Sequence, residues 1–298
     1  MSPPRRVQIV EVGPRDGLQN EAVNISVEAK VALVEALAAA GCKRIEAGAF
    51  VSPRWVPQMA DSELVFGELK KRASIRYSAL VPNIAGYERA RAAGVKEIAV
   101  FGAASETFSR RNINCSINDS LQRFWPVVEA ARADGVFVRG YASCALGCPY
   151  EGRIAPPAVV SMCRTFIEMG CSEVAVSDTI GAGTPTQARD VVARVADAIG
   201  LERVAVHFHD TYGQALANIY ACLQLGVATI DGAVAGLGGC PYAKGASGNV
   251  ASEDIVYMLH GMGIETGINL EALCAAGNVI ATRLGRESGS RVGRALWK

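Results

Sequence analysis

Two of the three histidines of the chain, His207 and His209, stand one residue apart at the end of an apolar run that begins at Arg203. The small and β-branched residues of this run predict a buried strand. Because side chains alternate between the two faces of a strand, both imidazoles are expected to point the same way. Two converging imidazoles are a natural pair of metal ligands. The alternative is a pair of core histidines that only make hydrogen bonds.

Oxygen ligands that could complete such a site follow two other apolar segments. Asp16 lies in the run Gly-Pro-Arg-Asp-Gly after the first segment, and Asn249 closes the glycine-rich stretch after the last one. Two imidazoles with carboxylate and amide oxygens suit Mg²⁺ or Mn²⁺ better than a closed zinc site. Two alternatives stay open, namely Asp16 as a turn residue before glycine and Asn249 as the cap of a helix near Ser252.

Further reactive side chains stand out against their surroundings. Glu46 lies inside an apolar strand, where a carboxylate is costly unless it is paired or functional. Arg15 is its nearest countercharge, so a structural ion pair is the alternative. Asp178, at the end of another strand, could support the metal or steer Arg15. Cys240 lies in a glycine-rich loop before a proline, where an exposed thiol could act as an acid or base.

The elements that would position these residues follow a degenerate repeat of helical pattern, glycine, one residue and apolar strand. Its glycines are Gly41, Gly94, Gly135, Gly170 and Gly226. A glycine in the left-handed conformation commonly ends a helix. With three further apolar segments, eight strands alternate with helical stretches. This pattern in 298 residues predicts a (β/α)8 TIM barrel, with a doubly wound sheet as the alternative.

The barrel is expected to cover about residues 5–250 of a single catalytic domain that spans residues 1–298. Two more helical patterns, about residues 251–261 and 270–284, predict extra C-terminal helices over residues 251–298. These helices would cap the barrel or take part in an oligomer interface. In such a barrel the active site lies at the carboxyl ends of the strands, and the polar residues described above concentrate there.

Two helices have clear start signals. Ser26 precedes a good helical run from Val27 and predicts a cap. Thr184, Pro185 and Gln187 predict a cap, a first-turn proline and a capping box.

Composition narrows the class of protein. The net charge of +1 gives no field that would favour nucleic acid, and no apolar run approaches the length of a membrane span. The nine cysteines are an odd number without a Cys-X-X-Cys pair, which favours a reduced protein in which most of them are buried. The first residues pass directly into a strand and leave no room for a targeting peptide. We expect a cytoplasmic enzyme.

Several motifs closely resemble those of the 3-hydroxy-3-methylglutaryl-CoA (HMG-CoA) lyase family. They are residues 13–20, 50–53, 56–59, 111–116, 139–141, 148–152, 207–218 and 234–243. The Arg-Asp-Gly and His-X-His pieces belong to a wider metal-dependent superfamily that includes isopropylmalate and homocitrate synthases. The Gly-Leu-Gly-Gly-Cys-Pro-Tyr stretch resembles the corresponding loop of the lyases, and it narrows the resemblance to the lyase branch of this superfamily. The resemblance covers about residues 5–290.

The resemblance implies a TIM barrel that binds Mg²⁺ or Mn²⁺ and cleaves a CoA thioester by a retro-Claisen reaction to acetyl-CoA and acetoacetate. The implied ligands are Asp16, His207, His209 and Asn249. Arg15 would stabilise the enolate oxygen, and Glu46 would assist proton movement and hold Arg15. Cys240 would transfer a proton at the acetyl-CoA carbon, His207 would also carry a proton, and Asp178 would be a supporting carboxylate.

The resemblance also implies residues that contact the substrate or CoA, and it leaves the alkyl group of the substrate open. Residues expected to contact substrate or CoA, or to gate the pocket, are Gln19, Asn112, Asn114, Ser143 and Lys244. Ala49, Ser177 and the pair Gly232-Ala233 depart from the family pattern, so a bulkier 3-hydroxy-3-alkylglutaryl-CoA is an open alternative. An acetyl-CoA-dependent synthase and a non-catalytic metal-binding module are the other functions considered. We expect a homo-oligomer, either a dimer or a tetramer.

Overall fold

The strands of the chain close into a parallel barrel in sequence order, in a computed structural model that describes residues 3–239 and 248–296. The strands are β1 (Gln8–Glu11), β2 (Arg44–Ala49), β3 (Arg76–Leu80), β4 (Glu97–Ala103), β5 (Phe137–Ser143), β6 (Glu173–Asp178), β7 (Val204–Phe208) and β8 (Thr229–Gly232). The closed order confirms the predicted (β/α)8 barrel and rules out the doubly wound sheet.

Helices alternate with the strands, and further helices follow β8. They are α1 (Val27–Ala39), α2 (Ser62–Glu68), α3 (Ile84–Ala92), α4 (Glu106–Ile113), α5 (Ile117–Ala133), α6 (Pro156–Met169), α7 (Pro185–Ile199), α8 (Ala215–Leu223), α9 (Ser252–Gly261), α10 (Leu270–Arg283) and α11 (Arg291–Leu296). The predicted C-terminal helices are confirmed as α9 and α10, whereas α11 lies beyond the two patterns. The assignment of residues 1–298 to one domain stays a prediction.

The first residues of α1 and α7 test the predicted helix caps. Ser26 caps α1 by accepting a hydrogen bond from the backbone of Ala29, as expected. Pro185 begins α7, but the predicted capping box is wrong because Thr184 makes no side-chain cap. Gln187 instead donates its side-chain amide to the carbonyl of Leu146, at 2.6 Å. The side chain of Gln187 therefore bonds to a residue distant in the chain and not to the backbone amide of Thr184, as a capping box requires.

The register of the strands brings the loops after β1, β7 and β8 together. Val10 of β1 pairs with Asp231 of β8, and Val206 of β7 pairs with Ile230 of β8. The carboxyl ends of these three strands are therefore neighbours. Among residues 3–239 and 248–296, no helix is both long and apolar enough to cross a membrane.

Candidate active site

Three side chains that could hold a metal ion converge at the carboxyl end of the barrel: Asp16, His207 and His209. Their ligand atoms all lie within 4.8 Å of one another. The Nε2 atom of each histidine is 3.9 Å from Oδ2 of Asp16. The two imidazole rings lie on the same side, with centroids 5.4 Å apart. This arrangement makes a metal site possible and disfavours two independent core histidines.

Asn249 lies against the same group. Its Nδ2 donates to Oδ2 of Asp16 at 2.7 Å and to the carbonyl of Leu237 at 3.3 Å. Its backbone forms an isolated bridge with His209. Helix α9 begins after Ala251 and has no side-chain cap, so the alternative reading of Asn249 as a helix cap is wrong. The structure therefore brings together all four residues predicted as ligands.

Asp16 is presented by a π-helical turn, Gly13–Gly17, in place of an ordinary reverse turn. The backbone amides of Asp16 and Gly17 both donate to the carbonyl of Val12. A Cβ atom at Gly17 would lie 2.6 Å from Cβ of Leu237, so the turn can approach the loop after β8 only without a side chain there. Single π turns are frequent at functional sites.

Arg15 connects Asp16 of the candidate metal site to the buried carboxylate of Glu46. Its Nε donates to Oε2 of Glu46 and its Nη1 to Oδ1 of Asp16, both at 2.7 Å. Burial alone would raise the pKa of Asp16, but Arg15 and the two histidines hold it well below its usual range. Asp16 is therefore ionised and available as a ligand.

The pKa of Glu46 is shifted in the opposite direction to that of Asp16. Burial raises the pKa of its carboxyl, and the charge of Arg15 only partly offsets this effect. Its second oxygen, Oε1, is buried and accepts no hydrogen bond from the described residues. The predicted ion pair with Arg15 is present, and it leaves one carboxylate oxygen for another proton donor.

His207 has a carboxylate partner that the sequence analysis did not assign to the site. Its Nδ1 lies 3.1 Å from Oδ2 of Asp231, and Oδ1 of Asp231 accepts from Nη2 of Arg139 at 2.6 Å. Arg139 also lies 3.1 Å from Glu173 at its Nε. The signal in the sequence is a charged residue in each of three apolar strands, on β5, β6 and β8. The pairing itself joins residues far apart in the chain.

Asp178 does not contact Arg15. Its two carboxylate oxygens accept hydrogen bonds from the backbone amides of Ala182 and Gly183, at 3.2 and 2.8 Å. Burial raises its pKa, and these amides and His209 act against that shift. Arg15 is engaged by Glu46 and Asp16 instead, so the idea that Asp178 steers Arg15 is wrong for this arrangement. Its wider role as a supporting carboxylate stays a prediction.

Four of the five residues predicted to contact substrate or CoA lie at or after the carboxyl ends of β1, β4 and β5. Gln19 follows the π turn, and its Oε1 is buried without a hydrogen-bond partner among the described residues. Asn112 lies in α4, Asn114 ends that helix in the left-handed conformation, and Ser143 ends β5. Cys240 and Lys244 lie outside the described residues. The other eight cysteines form no disulfide within the described residues, and only Cys115 among them is not buried.

The chain is similar along its length to known lyases. The family model described as HMGL-like matches residues 6–280. The chain belongs to the HMGL-like family. A curated relative from Pseudomonas aeruginosa, named 3-hydroxy-3-isohexenylglutaryl-CoA/hydroxy-methylglutaryl-CoA lyase, is 57% identical over 99% of both chains.

Two solved structures extend this likeness to the fold. The crystal structure of hydroxymethylglutaryl-CoA lyase from P. aeruginosa has a TM-score of 0.97, at 57% identity over 99% of both chains. That of an HMG-CoA lyase from Acinetobacter baumannii, in complex with coenzyme A and 3-methylmalate, has a TM-score of 0.94 at 35% identity, over 98% of this chain and 95% of that one. The predicted resemblance and the lyase class are thereby confirmed, and the synthase alternative is less supported.

Proposed function

We propose that the chain cleaves 3-hydroxy-3-methylglutaryl-CoA, or a close 3-hydroxy-3-alkylglutaryl-CoA, to acetyl-CoA and acetoacetate or the matching 3-oxo acid. The observation that supports this best is the position of Arg15, which bridges Glu46 and Asp16, the carboxylate that lies 3.9 Å from both histidines. A purely structural metal site would not need a buried arginine and glutamate next to the ligands. A reaction that develops negative charge there would use both.

Asp16, His207, His209 and Asn249 would hold the metal ion. Two imidazole nitrogens, a carboxylate and an amide oxygen fit Mg²⁺ or Mn²⁺. The hydrogen bond from Nδ2 of Asn249 to Asp16 supports including Asn249, whose amide oxygen would be the fourth donor. When bound, the ion would supply Lewis acidity that makes the tertiary hydroxyl of the substrate easier to deprotonate.

Arg15 would stabilise the charge that develops on the thioester. In a retro-Claisen cleavage the hydroxyl loses its proton, the carbonyl of acetoacetate forms, and the electron pair of the broken carbon–carbon bond moves into the enolate of acetyl-CoA. A guanidinium has five N–H donors, and the contacts to Glu46 and Asp16 use only part of this set. A cation held by the buried carboxylate of Glu46 and the partly buried one of Asp16 is already oriented before the enolate forms, which is the condition for effective electrostatic catalysis.

Proton transfer would involve three residues. Glu46 offers the buried oxygen Oε1, which accepts no hydrogen bond from the described part of the chain. His207 can carry a proton on Nδ1 against Asp231 while its Nε2 faces Asp16. We assign protonation of the enolate carbon to the thiol of Cys240 because a tuned thiol can act as a general acid.

Substrate and CoA contacts are proposed for Gln19, Asn112, Asn114, Ser143 and Lys244. The alkyl group on the tertiary carbon stays open in the proposal, because the P. aeruginosa relative is named for both an isohexenyl and a methyl substrate. A cytoplasmic location and a homo-oligomer, dimer or tetramer, belong to the same proposal.

A side-by-side kinetic comparison tests the reaction and the substrate together. The Mn²⁺-loaded protein is assayed with HMG-CoA and with 3-hydroxy-3-isohexenylglutaryl-CoA, and acetyl-CoA release is measured for each. A lyase releases acetyl-CoA from at least one of them. Consumption of acetyl-CoA with a 2-oxo acid, without cleavage of either thioester, would favour the synthase alternative.

A further inference from the structure

The segment after α10 reaches back to the carboxyl end of the barrel through one shared carboxylate oxygen. Nη2 of Arg286 donates to Oε1 of Glu21 at 2.9 Å, and the backbone amide of Gly238 donates to the same oxygen at 3.3 Å. The side chain of Glu21 is 13% exposed and that of Arg286 is 32% exposed. The C-terminal segment is thereby joined to the loop after β8 through Glu21, which follows the π turn.

Gly238 and Leu237 lie against the predicted ligands. Gly238 has a φ of +116°, and a Cβ atom there would lie 3.0 Å from Nδ2 of Asn249. The carbonyl of Leu237 accepts a hydrogen bond from the same Nδ2 at 3.3 Å. On its other side, Leu237 packs so closely on the turn that carries Asp16 that Gly17 can have no side chain. A shift of this loop would therefore displace both Asp16 and Asn249.

A second contact joins the same two segments. The backbone amide of Gly289 donates to the carbonyl of Ala235 at 2.8 Å. Arg286 itself is fixed to the end of α10, because its backbone amide donates to the carbonyl of Ala281 at 3.1 Å. The C-terminal segment thus has a rigid anchor on α10 and two contacts that lead to the loop after β8.

We propose that Glu21 and Arg286 are positioning residues for the ligand group. Arg286 holds the Glu21 carboxylate against the amide of Gly238, and this fixes the Leu237 carbonyl that orients Asn249. The proposal rests on the proposed metal-dependent lyase function, and it gives the C-terminal segment a part in that function.

The geometry separates this pair from an ordinary surface ion pair. Exposed pairs contribute little because water and salt screen them. Here the shared oxygen accepts from a charged donor and from a backbone amide, and hydrogen bonds to ionised groups are the stronger ones. Without Arg286 the Glu21 carboxylate gains freedom to turn towards solvent, and Gly238 loses its acceptor.

Metal binding and turnover in four variants of the full-length holoenzyme test the proposal. The variants are Glu21→Met, Arg286→Met, the double variant and Arg283→Met, an exposed arginine at the end of α10 that serves as the matched control. We expect the Mn²⁺ dissociation constant to rise about tenfold in both single variants, the range found for residues that orient metal ligands. The value of kcat should fall by a similar factor while KM changes less than about twofold.

The double variant and a conservative one separate positioning from loss of fold. Because both residues act through one oxygen, the double variant should bind Mn²⁺ no more weakly than the weaker single variant. Glu21→Gln keeps an acceptor for Gly238 and should recover most of the Mn²⁺ affinity.

Two results would overturn the proposal: Mn²⁺ affinity in Glu21→Met and Arg286→Met equal to that of Arg283→Met, or losses that multiply in the double variant. Failure of the proposed function would look different. The wild-type protein would then cleave no thioester, while the Mn²⁺ titrations would still report on the pair.

Discussion

The Nδ1 atom of His207 lies 3.1 Å from a carboxylate oxygen of Asp231, inside the barrel and away from solvent. A metal-binding histidine commonly donates its second ring N–H to a carboxylate, which fixes the tautomer and the orientation of the ring. Arg139 lowers the pKa of Asp231 despite burial, so this carboxylate is ionised and accepts the proton of Nδ1. The Nε2 of His207 is then left as a lone-pair donor on the side of Asp16.

The substitution Asp231→Asn tests this role. An asparagine of the same shape can donate to Nδ1 and so drive the ring proton to Nε2, which would then no longer bind a metal. We expect the Mn²⁺ dissociation constant to rise at least about tenfold, measured by titration calorimetry. The exposed Asp197→Asn on α7 is the control. Wild-type affinity in Asp231→Asn would show that the contact does not orient a ligand.

Replacing His209 should remove the site altogether. His209→Ala takes away one of the three donors that lie within 4.8 Å of one another, so we expect no stoichiometric Mn²⁺ binding. His260→Ala is the matched control, because this histidine on α9 is exposed and its ring bonds to Thr266, away from the ligand group. The bound metal is counted by electron paramagnetic resonance. One tightly bound Mn²⁺ per chain in His209→Ala would contradict the ligand set.

Much of this architecture is readable from local sequence signals. Gly41 and Gly170, predicted to end helices before a strand, have φ angles of +106° and +114°, which only glycine adopts without strain. The one-residue spacing of His207 and His209 predicted that both rings share a face, because the period of a strand is two. Such signals depend on neighbours in the chain.

The unpredicted part of the site depends on contacts across the barrel. Arg139 and Asp231 are separated by 92 positions, and no local pattern pairs them. In the sequence each is a single charged residue within an apolar strand. Likewise, Gln187 bonds to Leu146 instead of capping its own helix. Only the closed strand order decides which inward-pointing charges meet.

Cys240 is tested by a single-atom change. Cys240→Ser should lose most turnover, at least about 100-fold, because a serine hydroxyl is a far weaker acid than a thiol and proton transfer contributes that much to many enzymes. Mn²⁺ affinity should be unchanged. Cys115→Ser is the control, because Cys115 is the one cysteine within the described residues that is not buried. Turnover equal to wild type would remove Cys240 from the mechanism.

Glu11 links the turn that carries Asp16 to the loop after β8. Its Oε1 accepts from the backbone amides of Gly13 and Val234, at 2.9 and 2.8 Å, and Ser252 donates to its other oxygen. Burial raises the pKa of this carboxyl from 4.5 to about 7, in spite of these hydrogen bonds. The folded protein therefore keeps a proton that the unfolded chain releases.

The free energy of unfolding should fall as the pH rises from about 4.5 to about 7. The folded state binds more protons than the unfolded state in this window, so ionisation of Glu11 costs on the order of 3 kcal/mol above it. Glu11→Gln keeps an acceptor for Gly13 and Val234 but cannot ionise, so its contribution to the slope should vanish. Urea unfolding of the metal-free protein between pH 5 and 8 measures both. Parallel pH profiles would contradict this account.

The proposed function assigns a metal-dependent carbon–carbon cleavage of a CoA thioester to Arg15 and the residues around it. Its most direct test is acetoacetate release from HMG-CoA by Mn²⁺-saturated wild-type protein and Arg15→Met, measured under the same conditions. The wild type should release one acetoacetate per thioester consumed. Arg15→Met should be at least about 100-fold slower in kcat while still binding one Mn²⁺, since it lacks the charge that stabilises the enolate. No acetoacetate from the wild type, or equal rates in both, would contradict the account.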